Sequence, residues 1–188
     1  MKRIMVVGVS AGAGKSTFAR ELGETLKLPV YHLDRYYWKP NWIEASPEEF
    51  SLAQEEIVHE DQWIIEGNYS TTFSIRSKEA DTIFYIELPL YICLYRVVKR
   101  WITNIGQNRV DMGEGCIEKL DWKFIKFIIT TYFPRKKQMP DRIQACQTED
   151  MRKTIYVFKN TRDIHKFLKK IKKDKTMIRS QENKSVTS

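Results

Sequence analysis

Gly12-Ala13-Gly14-Lys15-Ser16-Thr17 is the stretch that decides the fold of this 188-residue chain. It comes shortly after Ile4-Met5-Val6-Val7, a β-branched and apolar run typical of a strand buried on both faces of a parallel sheet. It leads into residues 15–26, where apolar side chains recur at the spacing of one helix face. The order of strand, glycine loop and helix predicts the first unit of an α/β fold.

The loop has the composition of a phosphate-binding site. Glycines allow backbone N–H groups to close around phosphate oxygens, and the N-terminus of the following helix adds partial positive charge. A lysine at position 15 reaches the terminal phosphates of a nucleotide, and a serine hydroxyl at position 16 is placed for Mg²⁺. We therefore predict nucleotide binding by Gly12, Ala13, Gly14, Lys15, Ser16 and Thr17.

The start of the loop departs from the strict pattern of such motifs. A glycine is expected five residues before Gly14, where Val9 stands, and Gly8 lies one position earlier. We expect a widened or re-routed start of the loop. A glycine turn without a ligand is the alternative, and the strand before and helix after the loop argue against it.

The rest of the chain continues the alternation of strands and helices. Further strands are predicted at 30–33, 63–65, 82–86 and 154–158. Helices are predicted from Ser46-Pro47-Glu48-Glu49 to about residue 60, after Pro89, from Trp122 until Pro134, and from about Thr161 to Ile171. This order predicts a parallel sheet covered on both faces, with ligands at the carboxyl ends of its strands.

Two segments differ from this pattern. Residues 104–120 contain Gly106, Gly113 and Gly115 and few apolar side chains, which favours a loop or a mobile lid. Charged residues and serine dominate from Lys172 onward, so we expect one folded domain over 1–171 and a basic disordered tail over 172–188.

The net charge of +8 is concentrated at the C-terminal end. Residues 159–188 hold ten Lys or Arg against three Asp or Glu, while the other 158 residues hold 22 against 21. Nucleic-acid binding through the tail is therefore possible but not favoured for the body of the protein.

No uncharged apolar run approaches the roughly 20 residues that cross a bilayer, and no signal-peptide pattern is found, so we expect a cytoplasmic protein without membrane association. Three cysteines with spacings of 23 and 30 match neither a zinc site nor a redox pair.

On these residues the chain resembles the P-loop kinases related to adenylate kinase, and among them the small bacterial family of DNA topology modulation proteins. The likeness covers about residues 1–170 and implies a P-loop NTPase three-layer sandwich, a sheet order of 2-3-1-4-5, a lid, and ATP with Mg²⁺. It rests on the glycine loop and on four further features, which are His32-Leu33-Asp34, Ile64-Ile65-Glu66-Gly67, Arg96 with Arg100, and the glycine-bearing lid segment.

Two carboxylates follow from the resemblance. Glu66 stands where nucleotide kinases carry an acidic residue before a glycine, and it can hold a water of the Mg²⁺ shell. A solvated glutamate at a strand end is the alternative, and Asn68-Tyr69-Ser70 replaces the Phe-Pro-Arg that is more usual after this glycine. Asp34, at the end of the second strand, would orient or deprotonate an acceptor hydroxyl, or would only cap a turn ahead of Arg35.

Several cations and aromatic residues are further candidates. Arg96 and Arg100 lie one helical turn apart, so both can neutralise charge on a phosphoryl group in transfer, or both can face solvent. Arg109 in the lid is a weaker candidate. The aromatic run from Tyr36 to Trp42 can stack on an acceptor ring or form the core of a small cap. The candidate substrate residues are Arg35, Trp38, Tyr69 and Arg135.

These patterns predict a Mg-ATP-dependent phosphotransferase, similar to nucleoside and nucleotide kinases, whose small acceptor the sequence does not name. Lys15, Asp34, Arg96 and Arg100 are the predicted catalytic residues, and Ser16 with Glu66 the predicted metal site. An ATP-binding regulator associated with DNA is the alternative. No guanine-selecting motif is found, because Asn183-Lys184-Ser185-Val186 lacks its aspartate, so a GTPase switch is not expected.

Overall fold

The computed structural model describes residues 1–104, 112, 113, 115, 116 and 121–185, with the backbone alone described over 178–185. The strands are β1 Arg3–Gly8, β2 Val30–His32, β3 Trp38–Lys39, β4 Ile43–Glu44, β5 Trp63–Glu66, β6 Thr82–Ile86 and β7 Thr154–Phe158. The helices are α1 Lys15–Leu26, α2 Leu33–Tyr37, α3 Pro47–Val58, α4 Phe73–Glu79, α5 Leu90–Thr103, α6 Trp122–Glu149 and α7 Thr161–Ser185. A short 3₁₀ helix covers Pro40–Trp42.

Five of these strands form one parallel sheet in the order β2-β5-β1-β6-β7. Numbered by themselves along the chain, the five strands have the order 2-3-1-4-5, which confirms the predicted α/β fold. The labels differ only because β3 and β4 pair with each other as a separate antiparallel hairpin. The central strand β1 has its carboxyl end between the ends of β5 and β6, so the glycine loop that follows β1 is flanked by both neighbours.

Helices cover both faces of the sheet. Phe84 of β6 points toward α1, where its ring lies 4.9 Å from that of Phe18, and it also contacts Phe167 of α7. Tyr85 is the next residue of β6 and therefore points to the opposite face, toward Tyr132 of α6, whose hydroxyl donates to the carbonyl of Leu88. Because successive side chains of a strand point to opposite faces, helices pack on both sides of the sheet. This gives the three layers of the predicted sandwich.

Burial on both faces explains why the sequence of β1 is a continuous run of apolar residues. Residues 4–7 have no exposed surface, since one face of the strand lies under α1 and the other under the helices opposite. Burying a Val, Ile or Met side chain contributes about 1.5–3 kcal/mol. This burial holds the central strand, and with it the start of the loop, in a fixed position.

Helix α3 begins as predicted. The Ser46 hydroxyl accepts from the N–H of Glu49 at 3.2 Å, and the Glu49 carboxylate accepts from the N–H of Ser46 at 3.0 Å. This reciprocal pair satisfies two N–H groups that the first helical turn leaves without partners. The helix ends at Val58, close to the predicted residue 60.

Helix α6 does not end at Pro134, and that prediction is wrong. It continues to Glu149 through both Pro134 and Pro140. A proline inside a helix costs about 3 kcal/mol through its missing N–H and its ring. The helix persists because an apolar face packs onto the rest of the protein on both sides of the prolines. Its buried members are Ile128, Tyr132, Met139, Ile143 and Cys146.

Helix α7 is also longer than predicted. Its expected end was near Ile171, with disorder from Lys172, but the backbone is helical as far as Ser185. Residues 172–185 contain neither glycine nor proline, and their lysines and glutamate are good helix formers. The disorder expected for 172–185 is therefore corrected, while the last three residues lie outside the described part.

Three short elements had no counterpart in the sequence prediction. They are α2, α4 and the hairpin of β3 with β4, and each is seven residues or fewer. Helix α2 also shortens the second strand, which ends at His32, so Asp34 lies in the first turn of a helix and not at a strand end. Periodic patterns do not resolve elements of this length.

The predicted lid falls largely outside the described residues, including Gly106 and Arg109. The described members Gly113 and Cys116 contact the hairpin, where a Cβ added to Gly113 would lie 2.0 Å from the Trp38 carbonyl oxygen and the Cys116 thiol donates to the carbonyl of Lys39. None of the helices described is long and apolar enough to span a membrane.

Candidate active site

The glycine loop is anchored where β1 ends. The N–H of Gly8 donates to the Asn68 side-chain oxygen at 2.9 Å, and the N–H of Val9 donates to the carbonyl of Ile86 at 2.9 Å. Val9 is fully buried and continues the bonding pattern of the strand, so it occupies a position where its side chain belongs to the core. The turn of the loop is made by the residues that follow.

Two glycines in the loop have conformations that other residues rarely adopt. Gly12 has φ 75° and Gly14 has φ 93°, both in the left-handed region. A Cβ on Gly12 would lie 2.1 Å from the Cys93 carbonyl oxygen, and one on Gly14 would lie 2.8 Å from Arg96. The backbone conformation therefore favours glycine at both positions, and at Gly12 the close approach of the α5 backbone also leaves no room for a Cβ.

Helix α1 begins directly after the loop, at Lys15. Gly14 precedes its first turn, and no side chain caps the N-terminus, so this end of the helix has N–H groups available for an anion. The Lys15 ammonium donates to the carbonyl of Ser10 at 3.3 Å and lies 3.7 Å from the Glu66 carboxylate. The loop and its lysine thus form a small cationic site at the edge of the sheet.

Glu66 is the last residue of β5 and is buried beside this loop. His32 Nδ1 lies 3.0 Å from its carboxylate, and the Ser16 hydroxyl is a further hydrogen-bond partner. Burial alone would raise the pKa of Glu66, but the hydrogen bond from His32 and the charge of Lys15 outweigh it and lower that pKa. Glu66 is therefore an anionic carboxylate that has hydrogen-bond partners and lies next to Ser16. It is not the solvated glutamate of the alternative interpretation.

Arg96 contacts the loop from α5. Its guanidinium donates to the carbonyl of Ala13 at 3.3 Å and to the Thr161 hydroxyl at the start of α7 at 3.1 Å. Arg100 lies one turn further along α5 and is half-buried. Of the two predicted arginines, Arg96 is the one placed against the glycine loop.

Asp34 and Tyr69 meet on the other side of the site. The Tyr69 hydroxyl donates to the Asp34 carboxylate at 2.7 Å. Burial raises the pKa of Tyr69, and the neighbouring charge of Asp34 raises it further, so the tyrosine stays a neutral donor. Two residues predicted separately are thereby brought into one hydrogen-bonded pair.

Arg76 supports this pair and was missed by the sequence analysis. Its side chain is fully buried and donates to the Gln54 side-chain oxygen and to the carbonyl of Tyr69, each at 3.0 Å. Burial lowers the pKa of Arg76 to about 10, which still leaves it charged at neutral pH. No motif marks this arginine, because what distinguishes it is burial, a tertiary property.

The aromatic run forms a packed cap. Tyr37 contacts the rings of Trp38, Phe50 and Tyr69 at centroid distances of 5.0, 5.1 and 4.7 Å. Arg35 is exposed at the surface of α2. These contacts support the interpretation of the run as the core of a small cap that covers the Asp34 side of the site.

Arg135 lies on α6 and is half-buried. Its guanidinium stands 5.0 Å from the centroid of the Phe127 ring. Burial lowers the pKa of Arg135. Together with Asn68 it lines a pocket on the α6 side of the loop.

No protein-family model matches this chain, and none of the curated proteins matches it either. Solved structures do match. The shikimate kinase of Aquifex aeolicus has a TM-score of 0.54 and 15% identity, with 99% of each chain covered. The enzyme of Acinetobacter baumannii, solved in complex with shikimate, has a TM-score of 0.53 and 14% identity, with 91% of this chain and 90% of the other covered.

The shikimate kinase of Bacteroides thetaiotaomicron gives a TM-score of 0.54 and 14% identity, with 92% of this chain and 97% of the other covered. The chain has the fold of the P-loop kinases. Identities this low show the fold alone, so the chemistry of this protein has to be argued from its own residues.

Proposed function

We propose that the protein is a Mg-ATP-dependent phosphotransferase that acts on a small hydroxyl-bearing acceptor. The observation that carries the proposal is the meeting of Lys15, Glu66 and Arg96 around the glycine loop at the carboxyl edge of the sheet. In open α/β sheets this edge is where ligands bind.

The loop and α1 would hold the nucleotide. Gly12 and Gly14 keep the backbone close to the bound phosphates, and the uncapped N-terminus of α1 offers N–H donors. Lys15 now donates to a loop carbonyl at 3.3 Å, a weak bond that a phosphate oxygen would replace. The same role is proposed for Ala13, Ser16 and Thr17 as members of the loop.

Ser16 and Glu66 fit a magnesium ion. Their oxygen donors are of the kind that Mg²⁺ prefers, and Glu66 is anionic beside the Ser16 hydroxyl. When bound, the ion would neutralise charge on the phosphates during transfer. His32 holds the Glu66 carboxylate in place for this purpose through its hydrogen bond at 3.0 Å.

Asp34 would accept the proton of the acceptor hydroxyl. The hydroxyl oxygen then forms a bond to the γ-phosphorus, the bond from that phosphorus to the bridging oxygen breaks, and nucleoside diphosphate leaves. Tyr69 orients the Asp34 carboxylate, and Arg76 holds the backbone of Tyr69. Arg96 and Arg100 would stabilise the charge on the phosphoryl group, with Arg35, Trp38 and Arg135 on the acceptor side.

A regulator associated with DNA is the second candidate, in line with the resemblance to topology modulation proteins. The observation in its favour is α7, whose exposed side chains include Lys166, Lys169, Lys170 and Lys173. Such a helix can displace counterions from a phosphate backbone. It lies on the face of the sheet that α1 also covers.

The kinase proposal is tested by incubating the purified protein with Mg-ATP and a panel of nucleosides, nucleotides and small hydroxyl metabolites. Phosphorylated products are detected by mass spectrometry, and the Lys15→Ala variant serves as the control for contaminating kinases. A product formed by the wild type and absent with the variant supports the proposal. ATP binding without any product across the panel, joined to DNA binding at about 0.15 M salt, would favour the regulator.

A further inference from the structure

Four exposed apolar side chains form a stripe along helix α5, and we call them the α5 stripe. Tyr91, Tyr95, Val98 and Ile102 are spaced by four, three and four residues, which places them on one face of the helix. Tyr91 is 72% exposed, Tyr95 65% and Ile102 58%. A row of apolar side chains that meets water along a whole helix indicates a surface that another protein covers.

The α5 stripe points away from the glycine loop. Helix α5 packs against the loop with a different face, which carries Cys93 and Val97. A Cβ added to Gly12 would lie 2.1 Å from the Cys93 carbonyl oxygen and 3.0 Å from the Val97 side chain. Arg96 also lies on the loop side, where it donates to the carbonyl of Ala13. A partner bound to the stripe would therefore contact α5 from the side away from the loop.

The order of residues in the α5 stripe is complementary to itself. The spacing is the same from either end, with two tyrosines in the first half and two aliphatic residues in the second. Two copies of α5 that pair antiparallel about the midpoint of the stripe place Tyr91 opposite Ile102 of the partner subunit. Tyr95 then lies opposite Val98 of the partner subunit. Each large side chain faces a smaller one, an arrangement that lets two helices pack without voids.

The exposed apolar area reaches the size of a stable interface when α6 is included. Taking about 200 Å² for an aromatic side chain and less for an aliphatic one, the α5 stripe exposes roughly 400 Å². A standard interface buries about 800 Å² on each partner. Helix α6 packs beside α5, and three of its exposed apolar residues share one side of the helix, Trp122, Ile129 and Phe133. They expose roughly another 400 Å² by the same measure.

We propose that the α5 stripe is the centre of a two-fold interface between two copies of this chain, with the exposed apolar side of α6 at its flank. A two-fold interface uses the same surface on both subunits, so a self-complementary stripe closes into a dimer and does not propagate into a filament. Tyrosine is enriched at the centre of interfaces because it combines a large apolar ring with a polar end. The proposal is independent of the proposed function, because it uses neither the glycine loop nor the acceptor side.

The oligomeric state of the full-length protein tests the proposal. Sedimentation velocity from about 0.1 to 100 μM covers the dissociation constants expected for an interface of this size. We expect the mass of two chains at the upper end of this range. The mass of a single chain at every concentration, or a mass that grows beyond two chains, would overturn the two-fold interface.

Tyr95→Glu tests whether the α5 stripe forms the interface. Burial of a charge without a partner is strongly unfavourable, so the dissociation constant should rise by about 100-fold or more. Leu52→Glu is the control, because it introduces the same charge at a 59% exposed position of α3 and should leave the dimer intact. Circular dichroism checks that both variants are folded. A dimer that survives Tyr95→Glu, or that Leu52→Glu weakens equally, contradicts the assignment to the stripe.

Phe133→Glu tests the part of the interface on α6. We expect the dissociation constant to rise by about tenfold, less than for Tyr95→Glu, because residues at the edge of an interface contribute less than those at its centre. An unchanged dissociation constant would exclude α6 from the interface and would overturn that part of the proposal.

Mixing two variants tests the antiparallel pairing. Val98→Lys alone should separate the subunits as Tyr95→Glu does, because each change places an unpaired charge in the interface. In a mixture of the two variants, the new carboxylate of one subunit lies opposite the new ammonium of the other, and the second contact of Tyr95 with Val98 is unchanged. We expect a heterodimer in the mixture at concentrations where each variant alone sediments as a single chain. Two folded variants that stay single chains when mixed would overturn the antiparallel pairing.

Discussion

The proposed nucleotide side and the proposed acceptor side of the site are built in different ways. The nucleotide side is one continuous stretch, Gly12 to Thr17, which α5 contacts at Gly12 and Ala13. The acceptor side is assembled from α2, the segment after β5, α4 and α6, which meet only in the folded chain. The residues of the nucleotide side are therefore neighbours in the sequence, while the acceptor side depends on contacts between distant residues, such as that of Arg76 with Tyr69.

Asp34→Asn is expected to have the largest effect and to act on the acceptor side alone. An amide keeps the shape of the side chain but cannot accept the proton, so turnover should fall by about 10²- to 10⁴-fold. The affinity for Mg-ATP, measured by calorimetry, should stay within about twofold, since no group of the loop is altered. Wild-type turnover in this variant would contradict a catalytic role and would leave Asp34 as a residue that only caps a turn.

Lys15→Ala should instead reduce the affinity for Mg-ATP. Removing the ammonium takes away a charged donor to the phosphates, so Mg-ATP affinity should fall by about 100-fold or more. The fold should be retained, because α1 and the core do not depend on this side chain, and circular dichroism checks this. Unchanged nucleotide affinity in a folded variant contradicts the assignment of the loop.

Replacing Arg96 or Arg100 by lysine tests the boundary between the two sides. A flexible ammonium does not reproduce the planar fork, so turnover should fall by roughly tenfold for each arginine that contacts the phosphoryl group. We expect the larger effect for Arg96, which contacts the loop at Ala13. Steady-state rates of both variants, with Lys99→Arg on the same helix as the control, measure the difference. Equal, wild-type rates would assign both arginines to structural roles.

Glu66→Gln tests the ionised residues beside the glycine loop through the pH dependence of the protein's stability. The pKa of Glu66 is lowered in the folded protein, so its contribution to stability is present above its ordinary value of 4.5 and is lost as the pH falls through the folded-state value. At pH 7 the variant should be less stable by about 1–3 kcal/mol, the cost of losing a charged buried hydrogen bond. Denaturant unfolding at several pH values should show the gap closing in acid, because protonated glutamate resembles glutamine. A gap that stays constant down to pH 3 would contradict the ionised network of Glu66 with Lys15 and His32.

Deleting residues from Lys172 onward should have the smallest effect. The deletion removes five basic side chains. Three of them are described, at Lys172, Lys173 and Lys175, and none of these three has a hydrogen bond or ion pair to the loop or to Asp34. Mg-ATP affinity and acceptor kinetics should change by less than about twofold, and binding of the full-length protein to DNA should be weak at about 0.15 M salt. Sub-micromolar DNA binding at that salt, lost on deletion and altered by Mg-ATP, would support the regulator in place of the kinase.

The amino-acid sequence by itself determined the sheet and the loop. The five strands of the sheet, the capping box at Ser46 and the first helix from Lys15 to Leu26 are all local signals, because a buried strand needs a run of apolar residues and a phosphate loop needs glycine at set positions. The strand order came from the resemblance to known kinases and agrees with the structure.

Only the tertiary structure decided how the acceptor side is arranged. Prolines that should end α6 are tolerated because its apolar face is buried, and Arg76, Asn68 and His32 acquire roles through partners far away in the sequence. The physical reason is that burial, ion pairing and hydrogen bonding between distant residues depend on which elements pack together, whereas helix caps, glycine turns and strand periodicity depend on near neighbours.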